Sequence, residues 1–164
     1  MMHALCGVPD PEMPLSIVDL GMVGAVRVSN ISGGASVQID LIPTFVGCPA
    51  LAVIEQDVRK AVGALPSVAE LRVSFVYEPP WSVERITDAG RAALHRAGIT
   101  VPKRGCASRP VFVPLGISIS LESVACPLCG STSTHLDTPF GPTRCKMIYY
   151  CDACRNAFEH MKNV

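Results

Sequence analysis

Two Cys-x-x-Cys pairs constrain this chain more than any other feature. Cys126-Pro127-Leu128-Cys129-Gly130 is followed, after an interval of 21 residues, by Cys151-Asp152-Ala153-Cys154. Each pair closes a tight turn whose backbone N–H groups can point at two thiolates, and two turns supply four sulfurs at tetrahedral spacing. That donor set suits Zn²⁺, although the interval is slightly longer than usual. The tail has few large apolar residues, so a metal has to supply what a core does not. The expected ligands are Cys126, Cys129, Cys151 and Cys154 on a structural zinc. Four thiolates would also serve an iron–sulfur cluster. Cys145, with 15 residues between it and Cys129, is a candidate extra ligand; otherwise it is a small buried apolar residue beside Met147 and Ile148.

The rest of the chain has to be large enough to fold without that staple. A length of 164 residues suits one core domain with a small appendix. Hydrophobic residues make up 49% and charged residues 17%, a balance that packs and argues against disorder. Basic and acidic residues number 14 each, ten of each up to Arg109 and four of each after it. Neither part carries the basic stripe of a nucleic-acid binder, so no nucleic acid is expected as a partner. Near-zero net charge leaves solubility dependent on a partner, and a homo-oligomer is one form this can take. No apolar run reaches 18 residues, so no membrane association is expected. Met1 to Cys6 lacks the charged and apolar regions of a signal peptide. Eight cysteines without such a signal point to a reducing, cytoplasmic setting and to metal or thiol chemistry.

Periodicity outlines a small α/β sandwich: a three-stranded mixed sheet, two or three helices, and a C-terminal zinc ribbon. Pro9-Asp10-Pro11-Glu12-Met13-Pro14 is too proline-rich for a helix interior. A short helical turn is expected over Ser16–Leu20, ended by Gly21. Met22–Val28 and Ala35–Ile42 predict two strands joined at Ser32-Gly33-Gly34. Leu51, Ile54, Val58, Val62 and Leu65 recur at three- and four-residue steps and predict a helix, with Cys48 at its N-cap and Pro49 at N1. Val68–Val76 predicts a third strand. Thr87 is placed to cap a helix running to Ala97, with Gly98 at C′ and Leu94 and Ala97 turned inward. The expected division is a core domain over 1–100, a linker over 101–121 and a ribbon over 122–164. Within the linker, Val111–Ser120 is expected to be extended and to cover a sheet edge or exchange with a neighbour.

Cys48 is the residue with the most chemical promise. A thiol at a helix N-terminus feels the positive end of the macrodipole, which favours the thiolate. Pro43 to Gly47 provide a loop with backbone freedom beside it, and Thr44 a hydroxyl. The bland alternative is a buried cysteine serving as a small apolar residue. Asp10, Glu12 and Asp19 form an acidic group that could bind metal or do acid–base work, but such carboxylates more often cap turns. His95 looks solvated or half-buried. His135 and His160 flank the cysteine pairs but are poorer ligand candidates than the thiols. Trp81 is either a core plug or an exposed anchor. Phosphate loops, nucleophile elbows and His-Glu-x-x-His motifs are missing, and no independent catalytic activity is expected.

One resemblance ties these motifs together. Asp10-Pro11-Glu12-Met13-Pro14, Asp19-Leu20-Gly21, Pro43-Thr44 and Gly47-Cys48-Pro49 resemble the SufT-like iron–sulfur maturation domain. Cys126-Pro127-x-Cys129-Gly130, Phe140-Gly141, Cys145-Lys146, Tyr149, Cys151-x-x-Cys154 and Phe158 extend the likeness to the D proteins of phenylacetyl-CoA monooxygenase (epoxidase) systems, the PaaD family. The resemblance implies an accessory protein that assembles or maintains the iron–sulfur or iron centres of the oxygenase. Its partners would be the oxygenase and reductase subunits or the iron–sulfur assembly machinery. Cys48 would be the reactive cysteine, with Asp10 and Glu12 close to it and Thr44 in the same loop, handling a transient Fe or Fe–S cluster. Residues 82–86 depart from the family's form. The alternative is a non-catalytic zinc-ribbon scaffold bridging oxygenase subunits.

Overall fold

The computed structural model describes residues 1–105 and 124–162. The segment 111–120, expected to be extended, lies outside the described residues. The chain divides into two compact units, Met1–Ala93 and Leu94–Asn163.

The first unit is built on β1 (Val23–Ile31), β2 (Gly34–Leu41) and β3 (Val68–Phe75), in the order β1-β2-β3. Ser32-Gly33 joins β1 to β2 as an antiparallel hairpin. β3 runs parallel to β2, which requires a crossover, and α2 (Leu51–Gly63) supplies it. The alternation in β2 places Val37, Ile39 and Leu41 on the buried face, each at most 1% exposed. α2 packs on β3 through the stripe Ile54, Val58 and Val62. Each such side chain contributes about 1.5–3 kcal/mol by leaving water.

Several details differ from the sequence-based expectations. Helix α2 begins at Leu51 with Ala50 as N-cap, so Cys48 is not the N-cap. Pro49 sets helical φ, but the first bond made is the Leu51 N–H to the Cys48 carbonyl, an i→i+3 turn that precedes the α-ladder. Leu65 falls beyond the helix end, because Ala64 closes it. The Ser16–Leu20 turn is a single one: the Leu20 N–H reaches the Ser16 carbonyl at 2.9 Å, and Gly21 ends it at φ 74°. A Cβ on Gly21 would lie 2.4 Å from the Arg85 carbonyl oxygen, so only glycine fits there. The short helix α1 (Met2–Cys6) has no periodic signature to announce it.

Trp81 is a core plug, 2% exposed, with its Nε1–H donating to the Leu20 carbonyl at 2.9 Å. A 3₁₀ turn at Val83–Arg85 leads to α3 (Asp88–Arg96). Thr87 caps α3 through the Gly90 N–H at 2.9 Å and donates its own hydroxyl to Asp19 Oδ1 at 2.8 Å. Ser16 Oγ donates to Asp19 Oδ2. Asp19 thus staples two turns together.

The second unit holds a four-stranded sheet in the order β4-β7-β6-β5. These are β4 (Ile99–Thr100), β5 (Thr134–Thr138), β6 (Lys146–Cys151) and β7 (Asn156–Met161). Ile99 and Thr100, expected at the end of the first domain, pair in parallel with Glu159 and His160 of β7. Leu94 is buried, whereas Ala97 is exposed.

Candidate functional site

The ribbon gathers its four paired cysteines at one end of β6. The Gly130 N–H bonds the Cys126 carbonyl, and the Arg155 N–H bonds the Cys151 carbonyl, so each Cys-x-x-Cys closes its own turn. Arg155 holds φ at 59° to close the second turn. The four Sγ atoms lie within 4.8 Å of one another. Cys126 to Cys154 is 3.7 Å, and Cys129 to Cys151 is 3.6 Å. Sulfurs about 2.3 Å from one ion in a tetrahedron stand about 3.8 Å apart. The spacing therefore fits a single tetrahedral ion. A cluster would spread its thiolates over several irons and hold them wider.

The thiols also perturb one another's ionisation. Cys154 is lowered to about 6, chiefly by hydrogen bonding from the Asn156 side chain and also by Cys129 and Cys151. At Cys129 the Ser131 N–H favours the thiolate, but desolvation and the neighbouring thiols outweigh it and push the group up to about 12. Four thiolates this close cannot coexist without a cation between them. Cys126 and Cys151 are buried against Tyr149 and Phe158, while Cys129 is exposed.

Cys145, the candidate extra ligand, is not in this group. It is buried just before β6, with Thr143 Oγ1 at 3.2 Å from its sulfur. His135 is exposed and faces Asp152 at 3.4 Å. His160 is buried, with Nδ1 2.8 Å from Thr100 Oγ1, and burial lowers it to about 4. Both histidines lie outside the sulfur cluster. An ion pair that spacing does not announce sits in the same sheet: Lys146 Nζ, nearly buried, meets Glu159 Oε2 at 2.7 Å.

The second sulfur site lies in the first unit. Cys48 follows a turn in which its own N–H bonds the Phe45 carbonyl. Gly47, at φ 78°, takes the position where that turn needs a left-handed residue. The result is a half-buried thiol directly ahead of α2. Its Sγ lies 3.9 Å from Glu12 Oε2. Glu12 is carried by a loop closed by the Asp10 N–H to the Leu15 carbonyl and the Ile17 N–H to the Val8 carbonyl. Inside that loop the Glu12 N–H donates to Asp10 Oδ1 at 2.8 Å, an Asx-turn. Asp10 shapes the loop, Asp19 staples turns, and Glu12 places its carboxylate beside the thiol. Thr44 is buried, 6% exposed, in the loop that leads to Cys48. Among the described residues no helix is long and apolar enough to cross a membrane.

Family models match the two stretches of chain in which these residues lie. The family model described as iron–sulfur cluster assembly protein matches residues 1–75, and the PaaD zinc beta ribbon domain matches residues 118–162. An Escherichia coli K12 protein, provisionally named as the D protein of 1,2-phenylacetyl-CoA epoxidase, is 34% identical over 96% of this chain and 88% of its own length. The Fe–S protein maturation auxiliary factor YitW of Bacillus subtilis is 34% identical over 57% of this chain and 89% of its own. A crystal structure of a DUF59 domain of unknown function from Bacillus anthracis superposes with TM-score 0.51 at 36% identity, covering 56% of this chain and 85% of that one.

Proposed function

Because this chain belongs to the PaaD family, an iron–sulfur assembly domain followed by a zinc ribbon, we propose that it matures or maintains the metal centres of a phenylacetyl-CoA oxygenase. Relatives named as iron–sulfur maturation factors support the general role. The choice of the oxygenase as client rests on the name of the full-length relative. The observation that carries the reading is the Cys48–Glu12 pair, a half-buried thiol with a carboxylate 3.9 Å away and a glycine turn beside it. Such a thiol can be reached by a client and can accept iron or a cluster as cargo. The loop fixed by Asp10 holds the carboxylate where the thiol meets it. In the ribbon, Cys126, Cys129, Cys151 and Cys154 would hold zinc, which supplies structural cross-linking when bound. The setting would be the cytoplasm, where thiols stay reduced.

The test is Cys48→Ser in cells that co-express the oxygenase. Loading of iron and sulfide into the oxygenase, and its activity, should fall to the level seen without this protein. Unchanged loading would remove Cys48 from the mechanism. The second reading, a ribbon scaffold that bridges oxygenase subunits, draws on the closed sulfur cluster. It expects stable co-purification and indifference to the Cys48 change.

A further inference from the structure

The outer strand on the hairpin side of the first unit's sheet is β1. In the hairpin, Ala35 stands opposite Asn30, yet the Ala35 N–H turns toward β3 and bonds the Ser67 carbonyl at 2.8 Å. Asn30 and Ala35 are therefore a non-hydrogen-bonded pair, and alternation makes Val26 and Val28 the same. The N–H and C=O groups of Val26, Val28 and Asn30 point away from β2. Among the described residues no hydrogen bond reaches them.

Their side chains share the face of Val37 and Ile39. That face is deeply buried over β2, where Val37 is 1% exposed, but its direct partner Val28 is 56% exposed. The apolar layer thus continues past the cover that α2 gives to β3. Edge strands are guarded by charge, proline or bulges, and the register shift that β1 does carry falls between Val23 and Val26, leaving the ladder from Val26 to Ile31 regular. Here Val23–Ile31 carries one charge, Arg27, and Arg27 is already bound to Asp40 at 2.6 Å. At the other end of β1, Arg85 donates to the Gly21 and Val23 carbonyls, so the unguarded edge starts after Val23.

We propose that this edge pairs with β1 of a second copy, antiparallel about a twofold axis at Val28. In that register Val28 faces Val28 and Val26 faces Asn30, so all the outward groups of both strands meet. Arg27 falls opposite Ser29, which keeps the two guanidiniums off one another. The Arg85 clamp sets the end of the new ladder. The two sheets merge into one of six strands, and Val28 gains the apolar cover it lacks.

Sedimentation equilibrium on the full chain tests this across a wide concentration range. The expected mass is twice the 17.4 kDa chain at high concentration. Val28→Lys, which puts charge on the axis, should return it to one chain mass. So should Val28→Pro, which deletes an outward N–H and leaves the bonds to β2 intact. Circular dichroism separates loss of pairing from loss of fold. Amide exchange on the wild type needs no variant: Val28 and Asn30 should become protected as concentration rises. A wild type of one chain mass at every concentration would overturn the proposal. So would a dimer indifferent to both changes, or protection of Val28 that does not vary with concentration, which would mean that another part of the same chain covers the edge.

Discussion

The two sulfur sites use the same side chain to opposite ends. In the ribbon, four thiols stand within 4.8 Å of one another and two of them are buried. At Cys48 one half-buried sulfur meets a carboxylate brought in from 36 residues away. Four donors complete the coordination sphere of one ion and leave nothing for a visitor. At Cys48 the thiol is only half-buried and has a carboxylate beside it instead of three more thiols. What a cysteine does here is set by how many donors the fold brings within reach and by how far water can follow.

The largest expected contrast comes from the ribbon. Cys151→Ser removes a buried ligand, and a structural zinc site is worth on the order of 10 kcal/mol in small domains. We expect loss of stoichiometric metal and of the ribbon's tertiary signal, measured by elemental analysis and near-ultraviolet circular dichroism. Retained metal would show that Cys145 or a histidine substitutes.

Acid should weaken the same region. His160 is neutral when folded, because burial lowers it to about 4 from 6.5. Below pH 6.5 the unfolded chain takes up a proton that the folded one refuses, so stability falls as pH drops from about 6.5 toward 4. The shift bounds this loss at about 3 kcal/mol. Comparing the pH–stability curves of wild type and His160→Gln isolates this group from metal release. Parallel curves would mean that the imidazole is protonated inside the fold.

Asp10→Ala should cost about 1 kcal/mol by removing the Asx-turn bond to Glu12. It should also displace the carboxylate from Cys48, so that client loading falls while ribbon metal stays constant. Asp10→Asn keeps an acceptor at Oδ1 and should restore much of both.

The smallest effect on stability belongs to the residue with the largest proposed role. Cys48→Ser is a near-isosteric change at a half-buried thiol, and we expect a shift within about 0.5 kcal/mol in denaturant unfolding. A loss of several kcal/mol would make Cys48 a structural residue and erase the contrast between the two sites.

Much of this contrast is legible from the chain itself. The Cys-x-x-Cys turns are local, and their spacing pairs the four thiols before any fold is known. The α2 stripe of Ile54, Val58 and Val62 and the β2 alternation of Val37, Ile39 and Leu41 are likewise local periodicities. Thr87 is a local cap signal, and the structure uses it as one. The N-cap expected at Cys48 lies two residues early, because a proline turn can precede a helix without belonging to its ladder.

What stays hidden lies far apart along the sequence. Sequence alone placed the four paired thiols, the elements β1, β2, α2, β3 and α3 and a thiol just ahead of α2, since these follow from spacing and backbone preference within a few residues. Only tertiary structure decided that Glu12 meets Cys48, that Cys145 and His160 stand apart from the sulfur cluster, and that β1 forms the outer edge of its sheet. These are outcomes of register and packing, in which a shift of one residue would turn each side chain to the opposite face.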